Sequence, residues 1–300
     1  MTTDAVAAAP PLCAQHPDLP SLGTCARCGR FACEQCFQPE SGLCAECSQR
    51  TADPLGVLGP FSVGQTLASG WKLLAAARWT ALGASVGMTL ASVAFGFITA
   101  RVLSASPEAM AVSRSAGNLI HSVKALLLGT WIYGALLAQM AAAARGEPIS
   151  AWRAVARSAR AWPRMVWAQF VASFIFLLGL AALVIPGFYA AVALWLVMPA
   201  AYLEPGEPAL RVSSELTRGR RWEVLALALV ARGPILLLAG IRYAMIFFLV
   251  RTGFRFAERE AVFSVVSLTL DVVQGGAESF EHALTLAAYL KLRRAATLTG

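Results

Sequence analysis

Charge is what this chain has little of. Of its 300 residues only 14% are Asp, Glu, Lys or Arg, against roughly a quarter in soluble domains. From Met165 to Leu203 there is none of them. With 57% hydrophobic residues and a mean hydropathy of +0.61, these absences exclude an ordinary soluble fold and point to a polytopic membrane protein. Histidine is scarce, at three residues, and no Gly-rich phosphate loop or nucleophile elbow is visible, so no catalytic constellation assembles. The N-terminus lacks the basic start and long apolar core of a signal peptide, and the first transmembrane helix is therefore expected to direct insertion. Cysteine is missing from residue 48 onward: all seven lie between Cys13 and Cys47.

That concentration argues for a site rather than scattered packing cysteines. Four ligand pairs appear, each with two intervening residues: Cys13 and His16, Cys25 and Cys28, Cys33 and Cys36, Cys44 and Cys47. A two-residue gap lets both members of a tight turn reach one tetrahedral ion, and eight ligands suffice for two closed Zn2+ sites. The rival readings are disulfides, which require an oxidising compartment, and a thioredoxin-like redox pair, which requires a βαβ context absent here. Four ligands per ion leave no position for a substrate water, so the zinc is expected to be structural. Apolar residues are few in this module, and metal is expected to supply most of its folding free energy.

The order Cys-x-x-His, Cys-x-x-Cys, Cys-x-x-Cys, ligand pair resembles a B-box type zinc finger, with Cys44 and Cys47 standing where many B-boxes carry two histidines. The resemblance implies a cross-braced module in which Cys13, His16, Cys33 and Cys36 share one ion and Cys25, Cys28, Cys44 and Cys47 the other. It also implies a role in protein association.

The remaining chain divides by composition into a disordered N-terminus (1–12), the zinc module (13–50), a short linker (51–60) and a helical membrane domain (61–295). About six spans are expected, at 79–101, 119–144, 165–185, 187–203, 224–250 and 262–288. Three amphipathic segments (61–78, 149–164 and 208–221) precede alternate spans and are expected to lie in the membrane interface, giving a weak threefold repeat. The second is the clearest, with Arg153, Arg157, Arg160 and Arg164 on one face and Trp152 and Trp162 opposite. Ile185-Pro186-Gly187 reads as the turn of a membrane hairpin.

The net charge of +8 comes from arginines at the ends of apolar runs. It reads as a positive-inside signal rather than nucleic-acid binding, and most Lys and Arg then fall on the side that holds both termini. A multi-pass inner-membrane protein with cytoplasmic N- and C-termini and membrane lipid as a partner follows.

The stretch from Leu177 to Glu223, with Ile185-Pro186-Gly187, Pro199, Glu204, Leu216-Thr217-Arg218-Gly219 and Trp222, together with Tyr289-x-x-Leu292-Arg293, supplies a second resemblance. It is similar to the membrane domain associated with glycerophosphoryl diester phosphodiesterases and to related bacterial membrane families of unknown function. The phosphodiesterase barrel itself is absent, since it needs about 250 residues.

Ionisable residues inside the apolar runs are the remaining candidates. Arg232 interrupts the fifth span, and Asp271, Glu278 and His282 share a face of the sixth. Arg232 with Asp271 is the expected pair, either pinning two helices or lining a path; Gly275-Gly276 is a candidate break in that helix. Two functions stay open. One is a non-enzymatic membrane protein whose zinc module associates with a protein partner; the other is a transporter or lipid-handling protein that uses the intramembrane polar residues, with zinc as regulator.

Overall fold

The computed structural model describes residues 11–26, 28–39, 42–103, 123, 125–147, 149–251 and 256–299, and the chain divides into two compact units between Gly56 and Val57. The expected disordered stretch over 1–10 and most of 119–124, the start of the second span, lie outside the described residues.

In the first unit, β1 (Gly23–Thr24) pairs antiparallel with β2 (Phe31–Ala32), and β3 (Phe37–Gln38) with β4 (Leu43–Cys44), followed by α1 (Ala45–Ala52). Strands of two residues have no independent stability. The core they frame consists of six cysteines and Ala32, backed by Phe37 and Leu43.

The second unit is helical: α2 (Val63–Ala76), α3 (Arg78–Leu103), a π turn (Ala125–Gly129) leading into α4 (Thr130–Ala144), α5 (Ala151–Ala182), α6 (Val184–Ala193), α7 (Val197–Leu203), α8 (Ala209–Thr217), α9 (Arg221–Arg251) and α10 (Phe256–Thr299). The expected linker is largely absorbed into the flanking units. Residues 51 and 52 end α1, while Val57 is fully buried, Arg294 donates to the Leu58 carbonyl at 2.9 Å and Lys291 to that of Pro60 at 3.4 Å.

Among the described residues, four stretches are long and apolar enough to cross a membrane: Leu126–Ala144, Ala151–Ala182, Ile185–Leu203 and Arg221–Met245. The pair α2–α3, bent by 77°, makes a fifth if taken together. The expected sixth falls within α10, where Asp271, Gln274, Glu278, Glu281 and His282 dilute the hydropathy. Exposed Phe174, Leu177 and Leu178 on α5, and Leu236, Leu237, Phe247 and Phe248 on α9, form apolar surface of the kind a lipid environment covers.

Two local expectations are corrected. The second amphipathic segment is no separate helix, because α5 runs unbroken for 32 residues through Pro163. Proline removes one backbone bond there, but side chains on both sides tie the helix to its neighbours. Ser158 Oγ donates to Trp131 O at 2.7 Å, Trp162 Nε1 to Leu127 O at 2.8 Å, and Arg164 to Tyr202 O at 2.7 Å, the last capping the end of α7. Nor do Pro186 and Gly187 form the hairpin turn. The chain reverses at Leu183, which is extended (φ −167°, ψ 150°), and Pro186 sits in the first turn of α6, where its missing N–H costs nothing. Gly187 serves the crossing of α5 and α6: a Cβ there would lie 2.6 Å from Leu180 Cδ2 and 2.9 Å from Leu180 N.

The apolar stretch Ile185–Leu203, the fourth expected span, is itself broken at 194–196, between α6 and α7. Pro199 cannot donate to the carbonyl of Trp195, which favours the break. Buried Ser213 on α8 bridges it, donating to Ala193 O at 2.8 Å and accepting from Leu196 N at 3.2 Å. The main buried cluster lies around this break and joins Trp195, Leu196, Val212, Leu227, Leu284 and Tyr289 with their neighbours.

Candidate metal centre

Local turns position each ligand pair in the first unit. Gly29, at φ +71°, follows Cys28, and its N–H donates to Cys25 O at 2.9 Å, closing a knuckle that aims Cys25 and Cys28 inward. A left-handed residue at that point suits glycine, which carries no Cβ. Cys33 O accepts from the N–H groups of Cys36 (3.0 Å) and Phe37 (2.8 Å), and Cys44 and Cys47 sit at the end of β4 and the start of α1. Leu19 N donates to His16 O at 3.0 Å and Cys13 N to Leu19 O at 3.0 Å, folding the first pair back on itself.

The fold gathers Cys13, His16, Cys33 and Cys36 into one group and Cys25, Cys28, Cys44 and Cys47 into another, with the ligand atoms of each within 4.8 Å of one another. No disulfide joins the seven cysteines, and of the seven only Cys28 is exposed. Sulfurs around a tetrahedral zinc stand about 3.8 Å apart when each Zn–S bond is about 2.3 Å; Cys28 and Cys44 are 3.8 Å apart. His16 Nδ1 lies 3.4 Å from Cys33 Sγ and 3.2 Å from Cys36 Sγ, so Nδ1 is the ring nitrogen facing the thiols. The donor sets, three thiols with one imidazole in the first group and four thiols in the second, fit a metal ion.

Crowding of thiols sets their protonation without metal. Burial pushes Cys36 up to about 11, with the neighbouring Cys33 and Cys13 adding to the shift. Burial likewise pushes Cys47 up to about 12, aided by Cys44, Cys28 and Cys25. Cys13 goes the other way. Burial raises it, but the backbone N–H groups of Cys33, Gln15 and His16 favour its thiolate and bring it down to about 6. Cys36 and Cys47 therefore need a cation beside them to be held as thiolates at neutral pH.

The ionisable residues of α9 and α10 pair differently from expectation. Arg232 Nε donates to Glu281 Oε1 at 2.9 Å, and Arg242, not Arg232, meets Asp271. The reason is register. Helices α9 and α10 run antiparallel, so stepping ten residues forward from Arg232 requires stepping ten back from Glu281. Arg242 and Asp271 then meet roughly 15 Å along the bundle. A mirrored spacing of arginines and acids across the connection is the signal that could have revealed both pairs. Glu278 instead accepts from Gln274 at 2.9 Å, and His282 stacks on Tyr133 of α4 (centroids 3.6 Å apart). Asp271, Glu278 and His282 thus face three different neighbours and form no common site. Gly275-Gly276 does not break α10, and a Cβ on Gly275 would lie 2.7 Å from Ser85 Cβ of α3.

Three of the residues quoted for the second resemblance, Glu204, Tyr289 and Arg293, meet in the fold. Tyr289 and Arg293 (2.9 Å) both donate to Glu204 Oε1, which joins the end of α7 to α10, and Arg293 lies 3.6 Å from Glu207. Comparison of the chain with protein-family models, curated proteins and solved structures returned no match.

Proposed function

We propose that this protein is a non-enzymatic, multi-pass membrane protein whose N-terminal module carries two structural zinc ions in a cross-braced, B-box-like arrangement and associates with a protein partner. The observation that carries the reading is the pair of complete four-ligand sets in a unit whose core is made of those ligands. Closed tetrahedral ligation stabilises a fold and leaves no open coordination position. Exposed Leu12, Leu22 and Phe31 on the same unit offer apolar surface to a partner.

In this reading α10 supplies the sixth span, both termini are cytoplasmic, and the arginine-rich ends of the helices face anionic lipid. The reducing cytosol suits zinc thiolates. The two ion pairs between α9 and α10 support a pinning role over a transport path, since each arginine already has its acid.

The test uses the full-length protein purified from native membranes. Elemental analysis should return two zinc ions per chain, and the partners that co-purify should be lost with Cys25→Ser/Cys28→Ser while the membrane domain remains folded. An unchanged partner set, or less than about one zinc per chain against the two that eight ligands can hold, overturns the proposal.

A further inference from the structure

A cavity beside the α8–α9 turn is used by neither the zinc module nor the ion pairs. Helix α8 ends in a tight turn: Arg220 N donates to Thr217 O at 3.2 Å, Arg218 has φ −60° and ψ 130°, and Gly219 has φ +82°. These are the dihedrals of a type II turn, whose third position calls for glycine. Fully buried Thr217 anchors it, donating to Ser213 O at 3.0 Å. Arg218 and Arg220, the turn's second and fourth residues, therefore stand together, and with Arg293 of α10 they line a cavity of about 310 Å3 walled by Val212, Leu216 and Leu292.

The three guanidinium groups are not equally committed. Arg293 is held by Glu204 and Glu207, while Arg220 donates to Phe61 O at 3.3 Å and lies 3.7 Å from Glu223. Both retain unused N–H groups, since a guanidinium has five. Arg218 has no partner among the described residues. One carboxylate, Glu215, also lines the cavity, but Arg211 engages it at 3.0 Å. The result is an excess of planar, forked donors over a partly apolar floor, which matches a phosphate group attached to an organic moiety.

We propose that this cavity binds a phosphate-bearing ligand, with its oxygens on Arg218 and Arg220 and with Arg293 behind them. An anionic phospholipid headgroup and a soluble organic phosphate present the same chemistry. The site stands independently of the zinc module.

Binding is measured on the full-length protein in neutral detergent by titration with two ligands, dihexanoyl phosphatidylglycerol and sn-glycerol 3-phosphate. Arg218→Gln should weaken binding about tenfold, the usual effect of losing hydrogen bonds to a charged group. Arg218→Lys, which keeps the charge but not the fork, should fall between. Arg153→Gln, which removes an exposed arginine remote from the cavity in sequence, is the control. Glu215→Gln should tighten binding. Thermal melts verify that each variant is folded. Binding of the lipid alone assigns a headgroup, and binding of both ligands assigns a soluble organic phosphate; either supports the proposal. No binding of either ligand, or equal loss in Arg218→Gln and Arg153→Gln, overturns it.

Discussion

Replacing Ser213 by alanine should be among the most damaging single-atom deletions in the helical unit. Its hydroxyl gives a proton to Ala193 O and takes one from Leu196 N, at 2.8 Å and 3.2 Å, across the break between α6 and α7. Neither backbone group shows another partner at the break, where Val197 N turns instead to Leu194 O. Ser213 itself is fully buried. Deleting the oxygen strands one donor and one acceptor away from water, at about 1–3 kcal/mol each, so the expected loss is about 2–6 kcal/mol. Ser158→Ala is the matched comparison. Ser158 is equally buried and donates to Trp131 O, but that carbonyl lies within α4 and retains its helical bond, so the loss should stay near about 1 kcal/mol. Interhelical side-chain bonds in bilayers average about 0.6 kcal/mol, which makes the contrast informative. Equilibrium unfolding in mixed micelles titrated with SDS, followed by tryptophan fluorescence, reads the difference directly, with half-buried Ser214→Ala, whose hydroxyl donates to the Arg211 carbonyl of the same helix, as a local reference. If Ser213→Ala is no less stable than Ser158→Ala, the claim that one side chain completes the broken span is wrong.

Gly187→Ala should loosen the α5–α6 crossing, because its Cβ would fall 2.6 Å from Leu180 Cδ2; Gly233→Ala, with nothing within 4 Å, should be neutral or stabilise by up to about 1 kcal/mol. The two melts compared side by side decide it. Glu281→Gln would leave Arg232 unpaired midway along the apolar stretch of α9, costing on the order of 2–3 kcal/mol, and adding Arg232→Gln should recover most of that; a double variant as unstable as the single would rule out the pair. Zinc occupancy should rise with pH. Without metal, Cys36 and Cys47 hold protons up to about 11 and about 12, so uptake must displace those protons and acid must favour release. Occupancy that is flat between pH 4 and pH 8, measured after equilibration with a zinc buffer, would contradict thiolate ligation.

The four ligand pairs were readable because a two-residue gap is a local property: a tight turn places both members wherever it folds. The long apolar runs were readable for a similar reason, since length and hydropathy belong to each segment alone. Two expected boundaries were misplaced: the end of the second amphipathic segment at 164 and the turn at 185–187. At Pro163 the helix continues because Ser158, Trp162 and Arg164 are held by other helices, partners that no neighbouring residue announces. At Pro186 the proline opens a helix rather than making the turn, and Gly187 answers to Leu180 across the crossing rather than to backbone strain.

By itself, then, the sequence determined the presence of eight metal-type ligands near the N-terminus, several membrane-length helices after them, and the sparse charges between. Which pairs share a site was expected only through the B-box resemblance, and the fold brings the first pair to the third and the second to the fourth; tertiary structure alone decided that Arg232 finds Glu281 while Arg242 finds Asp271, and that Ser213 closes the broken span. Spacing along a chain sets which atoms can reach a common point within a turn. Which turns and helices then meet depends on register and packing between distant segments, where one helical step exchanges one partner for another.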